Sequence, residues 1–308
     1  INSRPFEGRP SCLYDGWCDA GCPIGALANP LVTYLAWAGA AGAEIRNHAT
    51  VARVLHDSSG RRAVGVVYFD EKGEQREVHA RVVVLAAFAV QNARLLLASA
   101  SEQHPAGLSN RNDLVGRYLM THPASSIYGL FPDETEPHFG PTGGQLICHD
   151  HYDDKAAFKG AFGSYQWLIA NAMKPNDLLG IANTRPDIYG PALEPFMRRA
   201  ARHFGNMVFV GEDIPRLENR VTLSGGRDRY GIPQVRTVHD ITAETDAMAR
   251  QAVAEGLAIF SAAGASEAWP GPRFGMHIIG GTGMGEDPKR AVPDRFGRCH
   301  ELENLYVA

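Results

Sequence analysis

Arg81-Val82-Val83-Val84-Leu85-Ala86-Ala87 is followed, after five residues, by Ala93-Arg94-Leu95-Leu96-Leu97-Ala98-Ser99. The first run is continuously apolar and rich in β-branched residues. That is the pattern of a strand buried on both faces, as in a parallel sheet. The second run reads as a helix. A strand that ends in small residues and hands over to a helix is half of a βα unit, so the stretch predicts an α/β fold. Ligands of open α/β sheets sit outside the carboxyl ends of strands, which makes Ala86 and Ala87 candidates for close approach. Close packing of strand on helix accounts for the same small residues.

On the N-terminal side, Ala49 to Leu55, Val64 to Phe69 and Gln75 to His79 read as short strands. Asp57-Ser58-Ser59-Gly60 and Glu71-Lys72-Gly73-Glu74 are the turns between them, which makes a meander. Pro30 to Ala41 reads as a short amphipathic helix that stops at Gly42. On the C-terminal side the pattern becomes irregular from about 123. Alternating segments at Ser126 to Phe131 and Met207 to Val210 predict an antiparallel sheet there. Glu212 and Asp213 are adjacent and so point to opposite faces of a strand, which disfavours a carboxylate pair. Thr242 to Ala263 predicts a long amphipathic helix capped by Thr242 or Asp240, with Met248, Ala252 and Ile259 facing a core.

The chain has 308 residues and a formal charge of −4, with charged residues interspersed. A nucleic-acid binder would show a basic face, and none is visible. No apolar run approaches the ~20 residues of a membrane span. No internal repeat or low-complexity tract is present. The chain opens Ile1-Asn2-Ser3 and stops at Leu305-Tyr306-Val307-Ala308, in mid-strand by its pattern. An unpaired apolar strand is a rare end for a domain, so the chain reads as an internal fragment, and the lack of a leader says nothing about localisation. No Gly-x-Gly-x-x-Gly follows a strand and opens a helix; Gly281-Thr282-Gly283-Met284-Gly285 has the wrong spacing and flanks.

Met276-His277-Ile278-Ile279-Gly280-Gly281-Thr282-Gly283-Met284-Gly285 places one histidine beside a glycine-dense run. The backbone can turn tightly there and approach something large and flat. Histidine can take a proton near neutrality and return it. A core or surface histidine beside a loop is the plain alternative. His122 reads as a hydrogen-bonded structural histidine. Cys12, Cys18 and Cys22 crowd one segment, with Cys148 and Cys299 elsewhere. Four readings stand: a disulfide with one thiol left over, a zinc site that lacks an obvious fourth ligand, an iron–sulfur cluster, or a loop with small buried thiols.

The order and spacing of several blocks sharpen these readings. His277-Ile-x-Gly-x-Thr-x-Met-Gly, Asp287-Pro288-Lys289, Asp294-x-Phe296-Gly297-Arg298 and Asn304-Leu305-Tyr306-Val307-Ala308 resemble the C-terminal part of the glucose–methanol–choline oxidoreductases. These are flavoenzymes that oxidise alcohols and sugars. The run from Leu85 to Ser99 is similar to the family's second signature region. It departs at Ala87-Phe88-Ala89-Val90-Gln91-Asn92, where Gly, Ser or Thr, and Pro are common. The block Arg9-Pro10 to Ala26 resembles one in flavin-dependent sugar dehydrogenase subunits, where three such cysteines carry a three-iron cluster.

The resemblance implies a mixed α/β (α+β) chain: a partial Rossmann-like FAD-binding domain with an inserted antiparallel-sheet substrate domain. The expected division is 1–120 and 265–308 for the FAD-binding part and 121–264 for the substrate domain. It implies His277 as general base in hydride transfer from an alcohol or sugar hydroxyl to FAD. Val51, Ala86, Ala87 and Ala308 would contact FAD, and Cys12, Cys18 and Cys22 are candidate iron–sulfur ligands. Electrons would pass to a non-oxygen acceptor such as a cytochrome or small subunit. An oxygen-using oxidase, a non-catalytic flavin-binding relative and an iron–sulfur redox module are the rival expectations. A second catalytic His or Asn and a phosphate-binding Asp-Gly would lie beyond Ala308, so the 308 residues alone are expected to be inactive.

Overall fold

The computed structural model describes residues 2–142, 145–152, 163–169 and 172–308. They form two compact units built from interleaved segments of the chain.

One unit comprises residues 1–45, 122–213 and 242–276. Its centre is a five-stranded sheet of β5 (Met120–Leu130), β6 (Leu146–Cys148), β7 (Tyr165–Ile169), β8 (Phe204–Gly211) and β11 (Glu267–Ile279), in the order β11-β5-β8-β7-β6. The pairs β5–β8, β7–β8 and β6–β7 are antiparallel. Alternate residues of a strand face opposite sides, so each strand can feed two cores. Ile127, Met207 and Phe209 pack with Met248, Ala252 and Phe260 of α5 (Ala243–Ala262). Leu130 and Phe204 pack with residues of α3 (Pro175–Ala182) and α4 (Leu193–His203).

The helix α5 starts where its cap predicts: Thr242 Oγ1 accepts the Thr245 N–H at 3.1 Å. Met248 and Ala252 are buried as expected, but Ile259 is 40% exposed. Phe260 takes the inward place in the last turn, with its ring 5.7 Å from that of Phe131. The helix expected from Pro30 also needs correction. The segment from Pro30 is a 3-10 turn (Pro30–Val32) followed by α1 (Tyr34–Ala40), and no residue of α1 is buried. Its apolar stripe meets no core among the described residues.

The other unit comprises 46–121, 214–241 and 277–308. It contains the antiparallel meander of β1 (Thr50–His56), β2 (Ala63–Phe69) and β3 (Gln75–His79). A hairpin of β9 (Arg220–Arg227) and β10 (Pro233–Val238) packs against α2 (Ala89–Ala98). The strand β4 (Val83–Leu85) pairs in parallel with β12 (Leu305–Val307), Val83 opposite Leu305 and Leu85 opposite Val307. Val83, Leu85, Leu96 and Leu305 share one core. The expected strand with two buried faces has only one: Val82 and Val84 are 52% and 57% exposed. This core covers one side of the β4–β12 pair, and no described element covers the other. No described helix is long and apolar enough to cross a membrane.

Candidate functional site

Parallel pairing sets the carboxyl ends of β4 and β12 side by side. Ala86 and Ala87 leave one and Ala308 leaves the other, and the Ala308 N–H donates to the Leu85 carbonyl at 2.9 Å. Asn92, 2% exposed on α2, spans the two: its Oδ1 accepts the Ala87 N–H at 2.8 Å and its Nδ2 donates to the Ala308 carbonyl at 3.2 Å. Sequence reasoning missed Asn92 as a site residue. The available signal was a polar side chain among Val90, Ala93, Leu95 and Leu96, which form the buried face of that helix. The α2 N-terminus has no side-chain cap, and its N-cap residue, Phe88, has φ +77° and ψ 151°. Val51 lies on β1, the edge strand of the meander, opposite Tyr68 and beside an irregularity in the register. An edge strand leaves one side of its backbone unpaired by the sheet.

His277 belongs to the same unit and sits near the end of β11, exposed, with φ +52°. Left-handed backbone is uncommon for a residue other than glycine, although histidine tolerates it better than most. Just beyond it the chain turns at Gly280 and Gly281, both at positive φ. A Cβ on Gly280 would fall 1.9 Å from the Tyr118 carbonyl oxygen, so only glycine fits. The Gly281 N–H donates to the Arg117 carbonyl at 3.0 Å, and its own carbonyl accepts from Gly116 at 2.6 Å. A Cβ on Gly281 would meet the Ala89 carbonyl, in the first turn of α2, at 3.3 Å. The turn after His277 is thus hydrogen-bonded to Gly116 and Arg117 and lies close to the first turn of α2, which follows Ala86 and Ala87 in the chain. His122 belongs to the other unit, and its Nδ1 is hydrogen-bonded to the Gly211 carbonyl at 2.7 Å.

Cys12, Cys18 and Cys22, in the five-stranded unit, are half-buried free thiols that line one cavity of about 160 Å³ with Asn2, Arg9 and Pro141. Each sulfur accepts a backbone N–H: from Tyr14 at 3.3 Å, from Thr142 at 3.4 Å and from Leu27 at 3.3 Å, respectively. Arg9 Nε and Thr142 Oγ1 are buried with no hydrogen-bond partner among the described residues. Lys174 fastens this loop, donating to the carbonyls of Asp15 and His138 and standing 4.8 Å from the Trp17 ring centre. Among the described residues, no three His, Cys, Asp or Glu side chains are grouped so that they could hold a metal ion. Cys299 is different: burial pushes its thiol up to about 11.

Two family models, both described as GMC oxidoreductase, match residues 6–124 and 215–308. The chain belongs to the GMC oxidoreductase family. This GMC chain is 31% identical over 314 residues to the fructose dehydrogenase large subunit of Gluconobacter japonicus, covering all of this chain and 56% of that protein. It is 32% identical over 323 residues to 2-methyl-1,2-propanediol dehydrogenase of Mycolicibacterium austroafricanum, again with 100% and 56% coverage. The gluconate 2-dehydrogenase flavoprotein of Pantoea cypripedii is 27% identical, with 96% of this chain and 51% of that one aligned. This GMC chain therefore spans about half the length of the curated relatives it matches. In fold it is similar to a formate oxidase of Aspergillus oryzae RIB40, with TM-score 0.58 and 14% identity, covering 84% of this chain and 55% of that one.

Proposed function

We propose that this chain contributes to FAD-dependent oxidation of an alcohol or sugar hydroxyl, with His277 as general base. The observation that carries the reading is the placement of His277: an exposed histidine in left-handed backbone, whose following turn is hydrogen-bonded to Gly116 and Arg117 and lies close to the first turn of α2. Strain of that kind persists only where surrounding structure over-determines it, and it clusters at active sites. The family's named relatives, a fructose dehydrogenase subunit and a propanediol dehydrogenase among them, support the same chemistry.

The residues fit a dinucleotide. The first-turn N–H groups of α2 carry no side-chain cap, and such groups favour phosphate oxygens. Ala86, Ala87 and Ala308 are small enough for close approach, and Val51 offers edge-strand backbone. FAD, when bound, would supply the hydride acceptor. His277 would accept the hydroxyl proton as the carbinol hydrogen leaves with the C–H electron pair, so the alcohol becomes a carbonyl and the imidazole an imidazolium. Each product then has one destination: the proton on His277, the hydride on the acceptor. Holding that imidazole at a fixed backbone angle limits the reorientation needed at the moment of transfer.

A cysteine cluster, if iron-bearing, would favour onward electron transfer over reaction with oxygen. The three cysteines line one cavity, and thiolates are the protein ligands of iron–sulfur clusters. On that reading Cys12, Cys18 and Cys22 would hold an iron–sulfur cluster, and a cytochrome or small subunit would take the electrons.

The test is an anaerobic absorption spectrum of the natural protein that carries this chain, before and after a panel of sugars and alcohols. Flavin bands that bleach with one substrate class are expected. A protein without flavin bands sinks the reading. Broad absorbance that bleaches with the flavin is expected from the cluster.

A further inference from the structure

Phe88 occupies a backbone region that is essentially reserved for glycine, at φ +77° and ψ 151°. A strained residue persists when its side chain gains enough elsewhere. Here the gain is not internal: Phe88 is 53% exposed, and its ring has no aromatic partner among the described residues. Its neighbours are well fastened. The Ala87 N–H is held by Asn92 Oδ1 at 2.8 Å, and the Phe88 carbonyl accepts the Asn92 N–H at 2.8 Å. The ring is therefore presented from a rigid corner at the carboxyl end of β4, where ligands of parallel sheets sit. The family resemblance puts Gly, Ser or Thr, and Pro in the stretch 87–92, and this chain has an aromatic residue at 88.

We propose that Phe88 is a cofactor-positioning residue that lays its ring against a flat ring of the dinucleotide. The inference rests on the FAD reading above and adds a contact that is particular to this chain. An aromatic ring on a flat heterocycle gains from both burial and stacking, and the exposed face of Phe88 supplies that surface. The strain is then offset when FAD binds, which couples the corner's backbone to occupancy of the site.

The experiment uses the natural protein, stripped of FAD, in its wild-type, Phe88→Gly, Phe88→Ala and Phe88→Trp forms. Two readouts are needed: the melting temperature without FAD, and FAD affinity by titration. Phe88→Gly is expected to raise the FAD-free melting temperature by about 2–4 °C, because it relieves the backbone. It is also expected to weaken FAD by about three- to tenfold, because the ring is gone. Phe88→Ala keeps the strain, so it should weaken FAD without the rise. Phe88→Trp should retain affinity and quench the fluorescence of bound flavin more strongly.

A Phe88 that merely packs against protein predicts a lower melting temperature in Phe88→Gly and unchanged FAD affinity, and that pair of results overturns the proposal. If the wild-type protein itself binds no FAD, the underlying reading fails with it. If wild type binds FAD and Phe88→Gly binds it equally well, the Phe88 inference alone fails. A parallel titration with FMN locates the ring: loss with both cofactors assigns the isoalloxazine, and loss with FAD alone assigns the adenine.

Discussion

Asn92 and Ala308, 216 residues apart, are joined by a hydrogen bond from Asn92 Nδ2 to the Ala308 carbonyl at 3.2 Å. The same side chain accepts the Ala87 N–H, so one amide closes the carboxyl ends of both parallel strands. Asn92→Ala leaves two backbone groups without a partner beside a buried helix face. A loss of about 1–2 kcal/mol is expected, since each intramolecular hydrogen bond adds about 0.5–1.5 kcal/mol and Ala87 and Ala308 are exposed to water. Urea unfolding measures it. A loss below about 0.5 kcal/mol would mean water replaces the amide and the clasp is incidental.

His277→Asn keeps a residue that tolerates left-handed backbone and removes the base. In the natural protein, turnover is expected to fall by about 10²–10⁴-fold with flavin content unchanged. Steady-state kinetics and a flavin count per chain decide it. Turnover within a few fold of wild type would move the base elsewhere.

Serine at Cys12, Cys18 or Cys22 should each remove iron and broad visible absorbance while the flavin bands remain. Cys299→Ser serves as the contrast, because Cys299 is buried in a different core and should leave iron content unchanged. Metal analysis of the four variants reads the outcome. Iron-free wild-type protein, purified without air, would leave the cavity with a structural role.

Asp113 is hydrogen-bonded to Arg117 and also pairs with Arg220 at 3.1 Å. The Arg117 guanidinium holds its carboxyl below the usual carboxylate range, against the opposing effect of burial. A depressed folded-state pKa adds stability above the unfolded value, near 3.8, that is lost as pH falls through the lower folded value. The carboxylate is 57% exposed, so solvent screens the pair. Asp113→Asn should therefore cost less than about 1 kcal/mol at neutral pH and almost nothing in strong acid. Unfolding of both forms across that range gives the sign.

Gly256 lies on α5 where the helix meets the sheet. A Cβ there would come 2.6 Å from Ile127 Cγ1 and 2.7 Å from Trp167 Cη2. Alanine in a helix interior gains up to about 1 kcal/mol over glycine. Overpacking costs about 1–3 kcal/mol, so the clash wins and Gly256→Ala should destabilise. A raised melting temperature would show that Ile127 and Trp167 can move aside.

Local patterns were legible where the physics is local. The Thr242 cap, the turn at Asp57 to Gly60 and the meander strands each follow from neighbours within a few residues, and the structure places them there. The start of α2 was not legible. It begins at Ala89, four residues before the predicted Ala93, because no capping side chain marks it and a tertiary clasp by Asn92 does the holding. Ile259 failed for a similar reason: its helical position matches Met248, but the contour of the core chose Phe260.

The sequence by itself determined the family, through the spacing of the His277, Asp294 and Asn304 blocks, and the types of residue available for chemistry. That only glycine serves at Gly280 was decided by a tertiary contact, the Tyr118 carbonyl. Tertiary structure alone decided which distant residues meet. It brought Ala308 beside Ala87, gathered three cysteines round one cavity and left Val82, Val84 and Phe88 exposed. These are outcomes of long-range packing, and side-chain periodicity along a chain carries no record of what another segment will cover.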